Sequence, residues 1–316
     1  MINFKELKEI KGDASFRKFY RNKNNYSIVV YAKKEKVKNL LIYDAINKIL
    51  NKNKILAPKL LYQNYKNNYI EVEDFGSETI FKILKKSDNK KFLYFKSIIK
   101  LLNQIQSIKN KKIRNFKNKY YRIPEYKKEI LIQEANLFCD WYAKMNLSKS
   151  KKVKFIKDYK KIIKKLAFSL KLKNNVFVHR DFHVSNLMMV NKNIGVIDSQ
   201  DALIGNKAYD LASLIDDVRL KTSKKLKDKI YKFYLSKEKK LNRLNFKNDF
   251  EILSILRNLK IIGIFTRLAM RDGKKTYLKL IPYAWKLINL RINENEIFKD
   301  LKKLLNQNFK KKLYEN

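Results

Sequence analysis

His179-Arg180-Asp181-Phe182-His183-Val184-Ser185-Asn186, followed by Ile194-Gly195-Val196-Ile197-Asp198, is the stretch whose reading decides the fold. The apolar run Asn175-Val-Phe-Val-His179 ahead of it reads as a short strand. That strand ends in His-Arg-Asp, and an Asn follows five residues after Asp181. Leu187-Met-Met-Val190 and Ile194-Gly-Val-Ile197 are apolar runs joined by Asn191-Lys-Asn193, the pattern of a hairpin. The hairpin delivers a second Asp, Asp198, at the end of an apolar strand. A lone His-Arg-Asp carries little information. Asp181, Asn186 and Asp198 in this order, with strand, loop and hairpin between them, are a specific set.

The set matches the kinase arrangement of a catalytic-loop Asp, a metal-binding Asn and a second metal-binding Asp. An alcohol attacking the terminal phosphate of ATP needs a carboxylate within hydrogen-bond reach, to orient it and accept its proton. That role falls to Asp181. The triphosphate needs Mg2+, a hard cation that prefers oxygen ligands. Asn186 supplies an amide oxygen and Asp198 a carboxylate. The chain's only two histidines, His179 and His183, both lie in this stretch. His179 is expected to hold the loop through backbone hydrogen bonds. For His183 the loop-holding role and a place beside the substrate stand level.

Outward from the loop, residues 15–31 read as two strands around the polar turn Asn22–Asn25. Val37, Leu40, Leu41, Ala45, Ile46, Ile49 and Leu50 fall at helical spacing over 36–51, and Pro58 stops any helix there. A second strand pair, 59–65 and 69–73, turns at Asn67-Asn68. Beyond the acidic turn Glu73-Asp74-Phe75-Gly76-Ser77 the spacing predicts helices over 78–86, 90–109, 126–145, 208–220, 223–239, 248–270, 276–291 and 295–306. No repeat and no Gly-x-x-x-x-Gly-Lys-Ser/Thr loop is present in the sequence.

Composition narrows the classes. The 316 residues carry 74 Lys and Arg against 30 Asp and Glu, a net charge of +44, yet 45% are hydrophobic and 13% aromatic. A disordered basic tail is therefore excluded. The excess is mostly Lys, spread from Lys5 to Lys312 without a block. That pattern points to compositional bias rather than to a nucleic-acid surface, which favours Arg and a localised patch. Cys139 is the only cysteine, so no intrachain disulfide forms, and it reads as a buried apolar side chain. The first 13 residues lack the apolar stretch of a signal peptide, and no run reaches the 18 apolar residues of a spanning helix. A cytoplasmic protein without a membrane partner is expected.

Strand-His-x-Asp-x-His-x-x-Asn, then Ile197-Asp198, then Gly205-x-x-Ala208-Tyr-Asp-Leu-Ala212 resembles the aminoglycoside phosphotransferase and choline kinase family of small-molecule kinases. Gly12-Asp-Ala-Ser-Phe-Arg-Lys-Phe-Tyr-Arg21, Glu73-Asp-Phe-Gly76, Phe138-Cys-Asp-Trp-Tyr142, Asp198-Ser-Gln-Asp-Ala202 and Arg257-Asn-Leu-Lys-Ile-Ile-Gly-Ile-Phe-Thr-Arg267 are similar to the bacterial anomeric amino-sugar kinases. So is Arg271-Asp-Gly-Lys-Lys-Thr-Tyr-Leu278, and the match spans about residues 10–292. The resemblance implies that Gly12 to Arg17, with Ser15, Phe16 and Arg17, covers the nucleotide phosphates. It implies that Glu73 to Gly76, with Glu73 and Phe75, is the hinge whose backbone reads adenine. Asp201, His183, Glu134, Asp140 and Trp141 would stand near the sugar, Trp141 stacking on a sugar face or serving as a core residue. Two departures are visible. Val30 stands about where a kinase has its strand Lys, which leaves Arg17, Lys33 and Lys34 to hold the phosphates. Ser199 replaces the aromatic residue that usually follows the metal-binding Asp.

The expected fold is α+β and bilobal, protein-kinase-like. A strand-rich N-lobe over 1–75 carries the phosphate loop and hinge, and a mainly helical C-lobe over 76–316 carries the catalytic loop, metal site and acceptor helices. ATP and Mg2+ are expected in the cleft. The resemblance implies phosphorylation of the anomeric hydroxyl of N-acetylmuramate or N-acetylglucosamine, in cell-wall sugar recycling. The rivals are another acceptor (an aminoglycoside, choline or homoserine) and a non-catalytic nucleic-acid-binding protein on a kinase-like scaffold. Paucity of acids argues against a polycationic aminoglycoside. An intact Asp181–Asn186–Asp198 set argues against a pure binder.

Overall fold

The computed structural model describes residues 7–10, 17–86 and 90–314. They divide into two compact units, one made of 1–124 with 176–204, the other of 125–175 with 205–316. The strand-rich 1–75 and mainly helical 76–316 lobes expected from the sequence are drawn at other bounds than these units.

In the first unit, β2 (Lys18–Asn22) and β3 (Ser27–Tyr31) form the expected hairpin, and β4 (Leu60–Asn64) and β5 (Tyr69–Glu73) form the second. With β1 (Lys8–Ile10) they make a five-stranded antiparallel sheet, order β1-β2-β3-β5-β4. The period-2 pattern sends Val30, Ile70 and Val72 inward. They pack with Leu40 and Tyr43 of α1 (Lys38–Lys52), the helix predicted over 36–51. Val30 is completely buried in this core, so an uncharged side chain there follows from the packing. α2 (Ile80–Lys86) and α3 (Lys91–Gln106) follow. A hairpin of β6 (Lys112–Arg114) and β7 (Tyr120–Arg122) was not expected from the sequence. It is too short and basic to show alternation, and of its β6 strand only Ile113 is buried.

The later part of this unit carries the site. The boundaries between units fall in two short strands, β8 (Asn174–Val178) and β11 (Leu203–Asn206). The hairpin expected at 187–197 is β9 (Leu187–Val190) with β10 (Asn193–Val196), in register from Asn193–Val190 to Val196–Leu187. Asn191 and Lys192 turn it with φ of 47° and 66°, the left-handed pair that a two-residue hairpin turn requires. Gly195 faces the ring of Phe75. A Cβ there would lie 2.7 Å from its Cε2 and 3.0 Å from its Cδ2.

The second unit is helical: α4 (Lys128–Leu137), α5 (Lys144–Asn146), α6 (Lys149–Phe168), α7 (Ala208–Ile215), α8 (Lys224–Ser236), α9 (Arg243–Arg271), α10 (Ile281–Ile292) and α11 (Lys299–Tyr314). The helix expected over 126–145 widens into a π-helix at Phe138–Ala143. Gly263 of α9 lies against the backbone at that point, where a Cβ would stand 2.3 Å from the Leu137 carbonyl carbon. Phe138, Tyr142, Phe155, Tyr159, Trp285 and Phe309 fill the core there with rings at centroid distances of 5.2–6.3 Å. Cys139 is fully buried among them, and burial pushes its thiol up to about 12, so it is unreactive.

α7 ends at Ile215, short of the expected 220, because Asp216 leaves the helix to meet charge. Its carboxylate accepts from Arg291 Nε at 2.9 Å and Ser254 Oγ at 2.6 Å, and pairs with Lys227 Nζ at 3.2 Å. Burial pushes this acid up, but the two cations and their hydrogen bonds prevail and hold it at about 2. Among the described residues no helix is long and apolar enough to cross a membrane.

Two outcomes follow from this packing. Asp216→Asn strands two buried cations and should cost about 3–5 kcal/mol in denaturant unfolding. Because the folded acid titrates below an ordinary carboxylate, its contribution is whole above about pH 4. The gap between wild type and variant should therefore narrow as pH falls towards 2; a gap constant across that window would refute the pairing. Gly195→Val forces the Phe75 ring aside and should cost about 1–3 kcal/mol in the same measurement.

Candidate active site

Asp181, Asn186 and Asp198 are gathered by one short chain of backbone hydrogen bonds in the first unit. His183 N donates to the Asp181 carbonyl at 3.0 Å, and Asn186 N to the His183 carbonyl at 2.9 Å. Ile197 N donates to the Asn186 carbonyl at 3.0 Å, which lays the residue before Asp198 against Asn186. The Asn186 side chain turns back: its Nδ2 donates to the Asp181 carbonyl at 3.0 Å and lies 3.4 Å from His183 Nε2. With the amide nitrogen so committed, its carbonyl oxygen is the donor atom left for a cation.

His179 does what was expected of it. It is fully buried, with Nε2 3.1 Å from the Ile197 carbonyl. A carbonyl only accepts, so Nε2 carries the proton. Burial pushes its pKa down against the pull of Asp181, so the ring is a neutral strut. Two residues of the loops take left-handed backbone without being glycine: Arg180 at φ 78° and Asp198 at φ 61°. Each costs on the order of 1–3 kcal/mol and persists because the surrounding bonds hold it.

The electrostatics centre on Asp198. Its side chain is 41% exposed, yet protein atoms crowd it. That desolvation pushes its carboxyl up, Asp181 and Asp201 add to the shift, and Arg17 opposes it. Arg17 Nη2 stands 3.4 Å from Asp198 Oδ1. Gln200 Nε2 bridges the two acids, 2.9 Å from Asp198 Oδ1 and 3.1 Å from Asp201 Oδ2. Asp201 is exposed beside Tyr121, whose hydroxyl burial and that negative charge push up to about 12. One carboxylate and one amide oxygen, beside a surplus of negative charge, fit Mg2+, which takes few side chains and completes its shell with phosphate and water.

The remaining expected residues fall as follows. Ser15 and Phe16 lie outside the described residues. Arg17 is buried beside Asp198, while Lys33 and Lys34 are exposed. The segment 73–76 is braced by Arg21, which grips Asp74 at 2.5 and 3.0 Å and donates to the Gly76 carbonyl at 2.7 Å. Gly76 takes φ 78° and donates its N–H to Asp74 Oδ1 at 2.8 Å. Glu73 accepts from Lys59 N at 3.1 Å, and Phe75 rests on Gly195. Glu134, Asp140 and Trp141 belong to the second unit. There Glu134 is paired with Lys260 at 3.0 Å and accepts from the Tyr126 hydroxyl. Asp140 is exposed, with Lys144 3.9 Å away, and Trp141 is half-buried on the π-helix.

Sequence reasoning missed the residues behind the acids. Asn39 of α1 accepts a hydrogen bond from Arg17 Nη1. Asn47, two turns on, accepts from Ser199 Oγ at 2.7 Å and donates to the Pro58 carbonyl at 2.9 Å. Between them Tyr43 is buried, hydrogen-bonded to Asn47, and pushed up to about 12 by burial and by Asp198. The i, i+4, i+8 spacing of Asn39, Tyr43 and Asn47 was the available signal, hidden behind the apolar residues that mark the helix.

The chain is 26% identical over 307 residues to the N-acetylmuramate/N-acetylglucosamine kinase of Pseudomonas aeruginosa, covering 95% of this chain and 88% of that protein. It is 27% identical over 281 residues to the enzyme of that name from Neisseria meningitidis, covering 85% and 80%. Among solved structures, the streptomycin–ATP–APH(2'')-IIa ternary complex superposes with a TM-score of 0.59 at 18% identity, over 87% of this chain and 93% of that one. A family model described as the phosphotransferase enzyme family matches residues 6–241. An α+β chain of protein-kinase-like fold, carrying Asp181, Asn186 and Asp198 on adjoining loops, thus belongs to the phosphotransferase enzyme family and is a phosphotransferase.

Proposed function

We propose that the protein is an ATP- and Mg2+-dependent kinase that phosphorylates the anomeric hydroxyl of an N-acetylated amino sugar, N-acetylmuramate or N-acetylglucosamine. The observation that carries the reading is the bonded loop holding Asp181, Asn186 and Asp198 together, in a chain whose relatives are kinases of those sugars by name. Asp181 orients the sugar hydroxyl and accepts its proton as the oxygen–phosphorus bond forms and the bond from the γ-phosphorus to the β–γ bridging oxygen breaks, leaving ADP. Asn186 Oδ1 and the Asp198 carboxylate would hold the metal. Bound Mg2+ supplies charge neutralisation across the phosphates. Arg17 offsets the charge on Asp198 and faces the phosphates. Residues 1–75 carry the nucleotide, with Ser15, Phe16 and Arg17 over the phosphates and the backbone of Glu73 to Gly76, Phe75 included, at the adenine. Asp201, His183, Glu134, Asp140 and Trp141 serve the sugar. A cytoplasmic place in amino-sugar recycling suits such a product.

Purified protein with Mg-ATP should convert either sugar into an acid-labile 1-phosphate, seen by phosphorus NMR. Finding no phosphorylated sugar would overturn the acceptor. Asp181→Ala and Asp198→Ala should each lower kcat by about 10²–10⁴-fold; wild-type turnover in both would overturn the mechanism. The charge of +44 should draw in ATP and an anionic sugar acid, so kcat/KM for N-acetylmuramate should fall as salt rises. A flat response would leave that charge without a role.

A further inference from the structure

In protein kinases an ion pair between a strand Lys and a helix Glu, together with the metal-binding Asp, must be in place for turnover. Among the described residues, neither half of the pair stands at the corresponding places. Val30, about where the strand Lys would stand, is wholly buried in the core, and the one acid of α1, Asp44, is buried and paired with Lys48 at 2.9 Å. The aromatic residue that would pack behind the metal-binding Asp is also missing, replaced by Ser199.

What stands there instead is a stripe along one face of α1. Asn39, in its first turn, holds the Arg17 guanidinium, which also reaches Asp198. Asn47 holds the fully buried Ser199 and is itself tied to the Pro58 carbonyl. Asn51, one turn further, donates to the Ala57 carbonyl at 2.9 Å, so the helix end is anchored to the segment below it. Asn39 and Asn47 therefore reach Asp198 by two routes: through Arg17, which lies against its carboxylate, and through Ser199, which follows it in the chain.

From this geometry we propose that α1 is the positioning element of the site, with Asn39 and Asn47 as positioning residues. Asn39 sets the guanidinium of Arg17 for the nucleotide phosphates, and Asn47 sets the Asp198 loop through Ser199. Neutral amide contacts thus replace both the ion pair and the aromatic packing. The inference rests on the kinase reading above, but its first readout needs no acceptor.

The test compares Asn39→Leu, Asn39→Asp and Ser199→Ala with wild type. Calorimetric binding of Mg-ADP, steady-state kinetics and Tm are measured on each full chain. Loss of a hydrogen bond to a charged group predicts Mg-ADP binding weakened by about 10–100-fold in Asn39→Leu, with kcat lowered, KM for the sugar within about twofold, and Tm little changed. Asn39→Asp, which still accepts from Arg17, should restore binding to within about threefold. Ser199→Ala should raise the Mg2+ concentration needed for half-maximal nucleotide binding by about fivefold. Should Asn39→Leu not fold, Asn39→Ala carries the same comparison. Wild-type binding and kcat in the Asn39 variants would overturn the proposal, as would losses that merely follow Tm or that Asn39→Asp does not recover. Wild type that binds Mg-ADP but phosphorylates neither sugar would sink the acceptor reading alone and leave this inference standing on the binding data.

Discussion

The site depends on keeping carboxylates close together in a place that water only partly reaches. Asp198 is desolvated and faces the negative charge of Asp181 and Asp201, with Arg17 as the opposing cation. Left to themselves these acids would separate or take up protons. They stay because the backbone is locked from behind. His179 meets the Ile197 carbonyl, Ile197 N meets the Asn186 carbonyl, and Asn186 reaches the Asp181 carbonyl. The left-handed turns at Arg180 and Asp198 lie next to residues that these bonds join. Strain in the backbone and surplus negative charge thus sit together, where a cation would relieve the second.

The same chain solves a similar problem in the opposite way elsewhere. Asp216 is more deeply buried than Asp198, yet it has Arg291 and Lys227 on its oxygens and Ser254 as a further donor. Its carboxyl is held at about 2, whereas that of Asp198 is pushed up. Full compensation makes a structural brace that ends α7 and ties α8 and α10 together. Partial compensation leaves a carboxylate whose charge one cation, Arg17, offsets. Burial alone does not distinguish the two; the number of cations on the carboxylate does.

The legibility of each element follows from its physics. Long amphipathic helices and alternating hairpins were readable because their apolar residues recur at the period of the element, as in α1 and β2–β3. β1, with two exposed charged residues, and the β6–β7 hairpin, with Ile113 the one buried residue of its first strand, carry too little pattern to be seen. The π-helix at Phe138–Ala143 has an ordinary helical sequence. It is recognisable only beside Gly263, which comes more than a hundred residues later. Asn39 and Asn47 look like solvated polar positions until Arg17 and Ser199 are placed beside them.

By itself the sequence marked out the candidate site and the order of its parts. Asp181, Asn186 and Asp198 are close in the chain and joined by a strand, a loop and a hairpin, so local propensity and spacing were enough to propose what they do. Only the tertiary structure decided what holds them. Arg17 lies 181 residues from Asp198, and Asn47 lies 152 residues from Ser199. Hydrogen bonds over such separations have no period and leave no local composition to read. They exist only once the sheet, α1 and the β9–β10 hairpin have packed, because a bond length near 3 Å depends on where whole elements come to rest rather than on any stretch of the chain.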